Sequence, residues 1–179
     1  MPRYVAFLRA INVGGRVVKM EALRSTFEEL GFTGVETFIA SGNVVFETRS
    51  RDLASIEGKI EKALRMSLGY EVATFIRPPG EVARIARYQP FPAAAVAAAV
   101  SVNVGMLKEP LSRATHDAVL KLKTDIDDLH IHGAEIYWLC VKGVGGSKIP
   151  SGLFERTLKA KTTFRGVRTM EKLAAKYPD

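Results

Sequence analysis

Two glycine-rich loops contain the residues best suited to bind an anion. The first, LRAINVGGR, follows an apolar run near the start of the chain and precedes a helical pattern. Its candidate ligand-binding residues are Arg9, Asn12, Gly14, Gly15, Arg16 and Lys19. Glycines allow backbone N–H groups to converge on an anion, and the cations and the positive helix end add to the attraction. The spacing is neither that of a dinucleotide fingerprint nor that of a Walker loop. The loop therefore predicts either an irregular phosphate site or a connection whose glycines only satisfy turn geometry.

The second loop, GVGGSK, lies between a predicted strand and a predicted helix. It offers Ser147 and Lys148 in an order transposed from a Walker loop, and helix N-termini bind anions readily. The tripeptide Ser41, Gly42 and Asn43 has the chemistry of a hairpin turn and adds hydrogen-bonding side chains. We predict that both segments contribute to anion binding.

The positive charge of the chain is concentrated near its end. The formal net charge is +7, and residues 142–176 alone contain nine lysines and arginines against two glutamates. The candidate ligand-binding residues Arg165 and Arg168 lie in this segment. Such localisation is typical of a surface that binds phosphates or another anionic partner, although a solvated basic face has the same composition.

His130 and His132 alternate on a predicted strand and therefore share a face. A two-residue turn would place Glu135 opposite His132 and Tyr137 opposite His130. Two imidazoles and a carboxylate could hold a metal ion, but no fourth ligand is evident. The opposite face of this hairpin collects the core residues Leu129, Ile131, Ile136, Trp138 and Cys140. We therefore expect the histidine face to be solvated, and we assign no metal.

The sequence does not indicate a particular chemical reaction. No Ser-His-Asp or Cys-His set can be assembled from it, so enzymatic activity stays open and no cofactor is predicted. The N-terminus lacks a signal peptide and a membrane span, and one cysteine fits a reducing compartment. We expect a cytoplasmic protein with no membrane partner, and the oligomeric state is left open.

The elements that must position these residues follow the order β-α-β-β-α-β in the first ninety residues. Strand patterns alternate with helical apolar spacing, and residues 35–40 and 44–47 are predicted to pair as a hairpin. If its turn has three residues, then Phe38, Ala40, Val44 and Phe46 share one face. This order is typical of the ferredoxin-like unit, an antiparallel sheet with both helices on one face.

A similar order, β-α-β-β-α, recurs after a Pro- and Ala-rich stretch that is either a linker or a short helix. We predict an α+β protein with two ferredoxin-like subdomains, related by a possible internal structural duplication. The predicted parts are an N-terminal βαββαβ subdomain over 1–90, a connection over 91–99 and a C-terminal subdomain over 100–179 with the basic segment. The second half lacks its last strand in this prediction, so a helix from Arg168 to Tyr177 is expected to close the sheet or pack across the boundary.

Two motifs carry a family resemblance: LRAINVGG at residues 8–15 and TFIASGNVVF at residues 37–46. They resemble the bacterial domain-of-unknown-function family sixteen-ninety-seven, whose members open with an LLRGINVGG-like stretch and continue to a TYIQSGNVVF-like hairpin. Ala10 stands where that family usually has glycine, and residues 165–169 lack the tryptophan and asparagines of its TTRNWNT-like stretch. The resemblance implies a two-part α+β structure and no established activity, substrate or cofactor.

Our leading interpretation is a protein that binds a phosphate-bearing ligand, a nucleotide or a nucleic acid, through the two Gly-rich loops, the hairpin turn and the basic C-terminal face. One alternative is a small-molecule enzyme with a pocket between the subdomains, in which Asn12, Ser41, Asn43 and Arg165 would orient the substrate. A second alternative is a protein-interaction module without catalysis.

Overall fold

The computed structural model describes residues 1–12, 15, 17–39 and 42–179. The chain forms two compact units, which we call unit 1 (Met1–Val82 with Tyr177–Asp179) and unit 2 (Ala83–Lys176). The limit between them falls within a helix, Pro79–Arg87, and the connection over 91–99 stays a prediction. The alanine-rich part of that connection is itself a helix, Ala93–Ala98.

Unit 1 contains a four-stranded antiparallel sheet with the predicted order of elements. Its elements are β1 (Arg3–Leu8), α1 (Met20–Glu29), β2 (Thr33–Thr37), β3 (Asn43–Glu47), α2 (Leu53–Leu68) and β4 (Thr74–Arg77). The strands are arranged as β2-β3-β1-β4, with antiparallel pairing throughout. This is the ferredoxin-like arrangement.

Both helices of unit 1 bury an apolar stripe on the same face of the sheet. The side chain of Asp52 accepts a hydrogen bond from Ser55 N and starts α2, and Gly69 ends it in the left-handed conformation. Between these caps the helical spacing brings one stripe inward. The buried cluster joins residues from both helices to those of the strands, namely Leu23, Phe27, Ile56, Ile60, Leu64, Tyr4, Ala6, Leu8, Val44 and Phe46.

The hairpin register differs from the three-residue turn expected from the sequence. β2 ends at Thr37, which lies opposite Val44, and Phe38 N donates to Asn43 O. Phe38 therefore lies on the face of Asn43, so the expectation that it shares a face with Val44 and Phe46 is wrong. The partner of Val44 is Thr37 instead of the expected Ala40, and a shift by an odd number of residues reverses the face of every side chain beyond the turn. Ala40 lies outside the described residues.

Unit 2 repeats the same topology. After α3 (Pro79–Arg87), which begins in unit 1, its elements are α4 (Ala93–Ala98), β5 (Ser101–Met106), α5 (Arg113–Leu120), β6 (Asp127–His132), β7 (Glu135–Cys140), α6 (Leu153–Leu158), β8 (Thr163–Gly166) and α7 (Val167–Lys176), with a 3-10 turn at Val144–Gly146. The strand order β6-β7-β5-β8 matches that of unit 1 position by position. The predicted fold class, two similar α+β subdomains with antiparallel sheets, is confirmed.

The last strand of unit 2 was missed by sequence reasoning. Residues Thr163–Gly166 pair antiparallel with β5 and close the sheet, so α7 is not needed for that purpose. The strand has only four residues and its buried positions are Thr163 and Arg165, so the sequence shows no apolar face that would predict a strand. Pairing with β5 supplies the stability that its own composition does not.

Carboxylates on the helices accept hydrogen bonds from backbone N–H groups in or beside the edge strands of both sheets. Glu61 accepts a hydrogen bond from Thr74 N at 3.0 Å, and Glu57 accepts one from Ile76 N at 3.1 Å. In unit 2, Glu155 accepts one from Thr162 N at 2.9 Å, just before β8. The outward N–H groups of an edge strand would otherwise invite pairing with another chain.

Candidate functional site

The opening loop and the hairpin turn meet at one end of the unit 1 sheet. Leu8 N donates to Gly42 O at 2.8 Å. A Cβ added at Gly42 would lie 3.0 Å from Leu8 O and 3.0 Å from the Cβ of Ile11. Only glycine permits this approach, so the two segments that the sequence predicted as anion-binding are brought together by direct backbone contact.

Strained backbone is concentrated in these two segments. Ala10, Asn12 and Ile39 have φ angles of +59°, +57° and +57°. Lys159 is the one further non-glycine residue with positive φ in the described part of the chain. For a β-branched residue such as Ile39 this conformation is a true outlier, and such residues cluster at binding sites and clamps. A positive φ at Ala10 is a conformation that glycine, the residue expected there from the family resemblance, adopts without strain.

The two predicted asparagines brace the loops from within. Asn12 Oδ1 accepts a hydrogen bond from Val18 N at 2.7 Å, which closes the opening loop ahead of α1. Asn43 is almost fully buried, and its Nδ2 donates to Phe38 O at 2.9 Å across the hairpin turn. Both amides therefore hold backbone in place. The predicted residues Gly14, Arg16 and Ser41 lie outside the described residues.

Two cations and an open helix end complete this end of unit 1. Arg9 follows β1 directly, is half-buried and is anchored by its backbone N–H to Ala73 O at 2.9 Å. Lys19 is exposed and stands at the N-cap of α1, where no side chain caps the helix. An N-cap is usually Ser, Thr, Asp or Asn, whose oxygen satisfies a first-turn N–H group. Lysine cannot accept such a bond, so no side chain caps the first turn of α1, although this turn carries one acidic side chain, Glu21.

The second Gly-rich loop encloses a carboxylate of the chain itself. Asp127 Oδ1 accepts hydrogen bonds from Ser147 Oγ at 2.6 Å and Trp138 Nε1 at 3.0 Å. Its Oδ2 accepts them from Thr124 Oγ1 at 2.6 Å and Lys148 N at 3.0 Å. Burial raises the pKa of Asp127, but these four donors outweigh it and hold the pKa below the ordinary aspartate value. The loop thus has an internal anion, which sequence reasoning missed, and ligand binding by Ser147 and Lys148 stays a prediction.

The two predicted arginines near β8 have different environments. Arg165 is buried, and its Nη1 donates to Thr163 Oγ1 at 2.7 Å and to Phe164 O at 2.9 Å. Burial lowers its pKa to about 10. Arg168 is exposed in the first turn of α7 and lines a pocket of about 460 Å³ within unit 2, whose walls come from residues 86–102 and 166–171. The pocket was not expected from the sequence, because its walls are far apart in the chain.

The histidine hairpin has the predicted register but is not a solvated face. His130 pairs with Tyr137 and His132 with Glu135, as the two-residue turn predicts. Glu135 is buried and accepts a hydrogen bond from Arg84 Nη2 at 2.8 Å. Tyr88 stacks on His132 with ring centroids 4.1 Å apart.

The Tyr88 hydroxyl also lies 2.9 Å from His130 Nε2. Burial, with the charges of His132 and Lys123, lowers the pKa of His130. The expectation of a solvated face therefore holds for His132 alone, because α3 and the residue after it cover the rest. Within the described ranges, no group of three or more His, Cys, Asp or Glu side chains is placed to hold a metal ion.

Comparison with known proteins agrees with this architecture. The sequence profile of DUF1697, a family described as "Protein of unknown function", matches residues 1–137. The chain belongs to this family. The match confirms the resemblance of the opening motif and the hairpin.

A solved structure, that of the conserved bacterial protein SP0830 from Streptococcus pneumoniae, has the same fold as this DUF1697 protein. The two share 23% sequence identity and a TM-score of 0.72, and the similarity covers 97% of each chain. No protein with a curated description matches the sequence. In the described part of the chain, no helix has the length and apolarity to cross a membrane.

Proposed function

We propose that this DUF1697 protein binds a phosphate-bearing ligand in the cytoplasm, at the end of unit 1 where the opening loop meets the hairpin turn. The observation that carries the proposal is the contact between Leu8 and Gly42, which joins two strained, glycine-containing segments. Backbone held in sparsely populated conformations is costly, and it persists where function requires it.

The chemistry of this end suits an anion. Arg9 and Lys19 contribute two positive charges, and α1 begins at Met20 without a side-chain cap. A phosphate at that position would accept hydrogen bonds from first-turn N–H groups and gain the attraction of the helix dipole. Asn12 and Asn43 already hold the loop backbone in place, so less conformational entropy is lost on binding.

A nucleic acid is the form of ligand that the basic segment of unit 2 favours. Arg168, Lys172 and Lys176 recur every four residues on α7 and are exposed. Residues at this spacing share one side of a helix, so the stripe presents successive cations to a phosphate backbone. Nucleic-acid binding is expected to depend on this stripe of unit 2, whereas mononucleotide binding at the end of unit 1 is not.

The test is calorimetric titration with a nucleoside triphosphate, single-stranded RNA and duplex DNA at low salt. We expect Arg9→Ala with Lys19→Ala to weaken binding by about a hundredfold or more, since two contacts to charged groups contribute about 1.5–3 kcal/mol each. Arg24→Ala is the matched control, because Arg24 is an exposed α1 residue whose ion pair with Glu28 at 3.9 Å lies away from the loop. Equal binding by all variants would refute the site.

The salt dependence of the binding constant distinguishes a nucleic acid from a mononucleotide as the ligand. If a nucleic acid lies along α7, Lys172→Ala should reduce the slope of log K against log salt by about one. Lys62→Ala, on the exposed side of α2, should leave the slope unchanged. Nucleotide binding without nucleic-acid binding would restrict the proposal to unit 1, and the absence of both would contradict it.

The sequence-based alternatives, an enzyme and a protein-interaction module, stay predictions. Of the residues named for the enzyme, Asn12 and Asn43 use their side chains to brace loops of unit 1. Arg165 lies in unit 2, where its guanidinium is bonded to Thr163 and Phe164.

A further inference from the structure

We infer that the pocket of unit 2 is a second binding site, for a small organic monoanion with an apolar body, because a mainly apolar cavity has a single arginine at its mouth. It goes beyond the phosphate site of unit 1 and does not depend on it. Both wall segments, residues 86–102 and 166–171, belong to unit 2.

The size and walls of the pocket suit an aromatic or branched aliphatic group. Its volume is about 460 Å³, and ligand pockets commonly have volumes of about 300–1,000 Å³. Phe91 and Val102 line it from the chain before β5 and from β5 itself, and Val96 lines it from α4. Val96 and Val100, which also lines the pocket, are 41% and 70% exposed. An apolar ligand would remove this surface from water, which is favourable in proportion to the area covered.

The charge at one end of the pocket selects an anion. Arg168 lines it from the first turn of α7, and its guanidinium has no ion-pair partner among the described residues. Gly166 and Val167, which lead into α7, line the same end, so the positive terminus of this ten-residue helix adds to the arginine. A planar carboxylate or sulfonate fits the fork of a guanidinium.

The same end also limits the charge of the ligand. Glu171, one turn after Arg168, lines the pocket as well. One acidic side chain beside one cation opposes a ligand that carries several negative charges, because each added charge is repelled by Glu171 without gaining a new partner. The pocket therefore favours a monoanion over a di- or triphosphate, which distinguishes it from the end of unit 1.

The test uses 2-naphthoate and its neutral analogue 2-naphthamide, titrated into the full chain at low salt and followed by calorimetry. We expect 2-naphthoate to bind about fivefold to tenfold more tightly than 2-naphthamide, since only the anion pairs with the arginine. Arg168→Ala should remove this preference without weakening 2-naphthamide. Arg113→Ala is the matched control, because Arg113 is exposed in the first turn of α5 and does not line the pocket.

Two further variants make the test decisive. Ala97→Phe places a ring in the pocket from an exposed position of α4 and should abolish binding of both probes. Glu171→Gln should tighten 2-naphthoate and leave 2-naphthamide unchanged. The inference is overturned if 2-naphthoate fails to bind, if Arg168→Ala and Arg113→Ala weaken it equally, or if Ala97→Phe has no effect. Arg9→Ala with Lys19→Ala should leave 2-naphthoate binding intact, so this site and the phosphate site can fail separately.

Discussion

Replacing Asp127 with asparagine tests how unit 2 holds its Gly-rich loop. The carboxylate accepts two hydrogen bonds on each oxygen, from Ser147, Trp138, Thr124 and the backbone of Lys148. Asparagine keeps the shape but exchanges one acceptor oxygen for an NH₂ group. The two hydroxyl donors can rotate and accept from this group, whereas an indole N–H and a backbone N–H cannot.

The size of the effect follows from this geometry. Trp138 Nε1 binds one oxygen and Lys148 N binds the other, so either orientation of the amide leaves one of these N–H donors facing an NH₂ group. A hydrogen bond to a charged group contributes about 1.5–3 kcal/mol, and an unpaired buried donor adds a desolvation cost. We expect Asp127→Asn to lower the free energy of unfolding by about 2–4 kcal/mol at neutral pH.

Urea denaturation at several pH values is the assay. The pKa of Asp127 is lower in the folded than in the unfolded chain, so its carboxylate stabilises the fold at pH values above its unfolded pKa. That contribution is lost as the pH falls through the folded pKa, so the difference between wild type and Asp127→Asn should narrow below about pH 4. Asp125→Asn is the control, because Asp125 pairs with Lys148 at 2.7 Å through largely exposed side chains. If both variants are equally stable at pH 7, the reasoning is refuted.

Three further predictions concern backbone, edge and thiol. Gly15 and Gly42 share a φ of +80°, but an added Cβ would meet nothing within 4 Å at Gly15 and would meet backbone at Gly42. Gly15→Ala should therefore lower the free energy of unfolding by about 1 kcal/mol, and Gly42→Ala should lower it by at least about 1 kcal/mol more. Equal thermal midpoints for the two variants would contradict this prediction. Glu61→Ala removes the acceptor of the buried Thr74 N–H and should cost about 1–3 kcal/mol in urea denaturation, so an unchanged midpoint would exclude this role. Burial raises the pKa of the Cys140 thiol to about 11, so a thiol reagent at pH 8 should modify it only after unfolding, and rapid reaction of the native protein would show that the thiol is accessible.

Local patterns were sufficient wherever neighbouring residues decide the geometry. The two-residue turn of the histidine hairpin and its period-two pattern correctly predicted that His130 pairs with Tyr137. In the first hairpin the turn is longer than expected, so the face of Phe38 was predicted wrongly. The two hairpins differ in how well they were predicted because the register of a strand is set by the turn length and by its partner strand, and not by the strand alone.

The candidate sites show the same division. The sequence indicated that Arg9, Lys19 and the glycines could bind an anion, since those residue types have that chemistry wherever they lie. It did not indicate that Leu8 N would bond to Gly42 O and bring the two segments together. It also did not indicate that the carboxylate of Asp127 would accept hydrogen bonds from the second loop, because the donors Ser147 and Lys148 are distant from Asp127 in the sequence.

The sequence by itself therefore determined the order of helices and strands in unit 1, the β-α-β-β-α order that recurs in unit 2 and the family resemblance. Apolar periodicity, caps and turn residues act over a few neighbours, so they can be recognised without the folded chain. Tertiary structure alone decided that the four residues Thr163–Gly166 form a strand, that Tyr88 contacts the half-buried His130 and that Arg168 lines a pocket. Each of these depends on pairing or packing between distant segments, whose free energy exceeds any local preference of the residues involved.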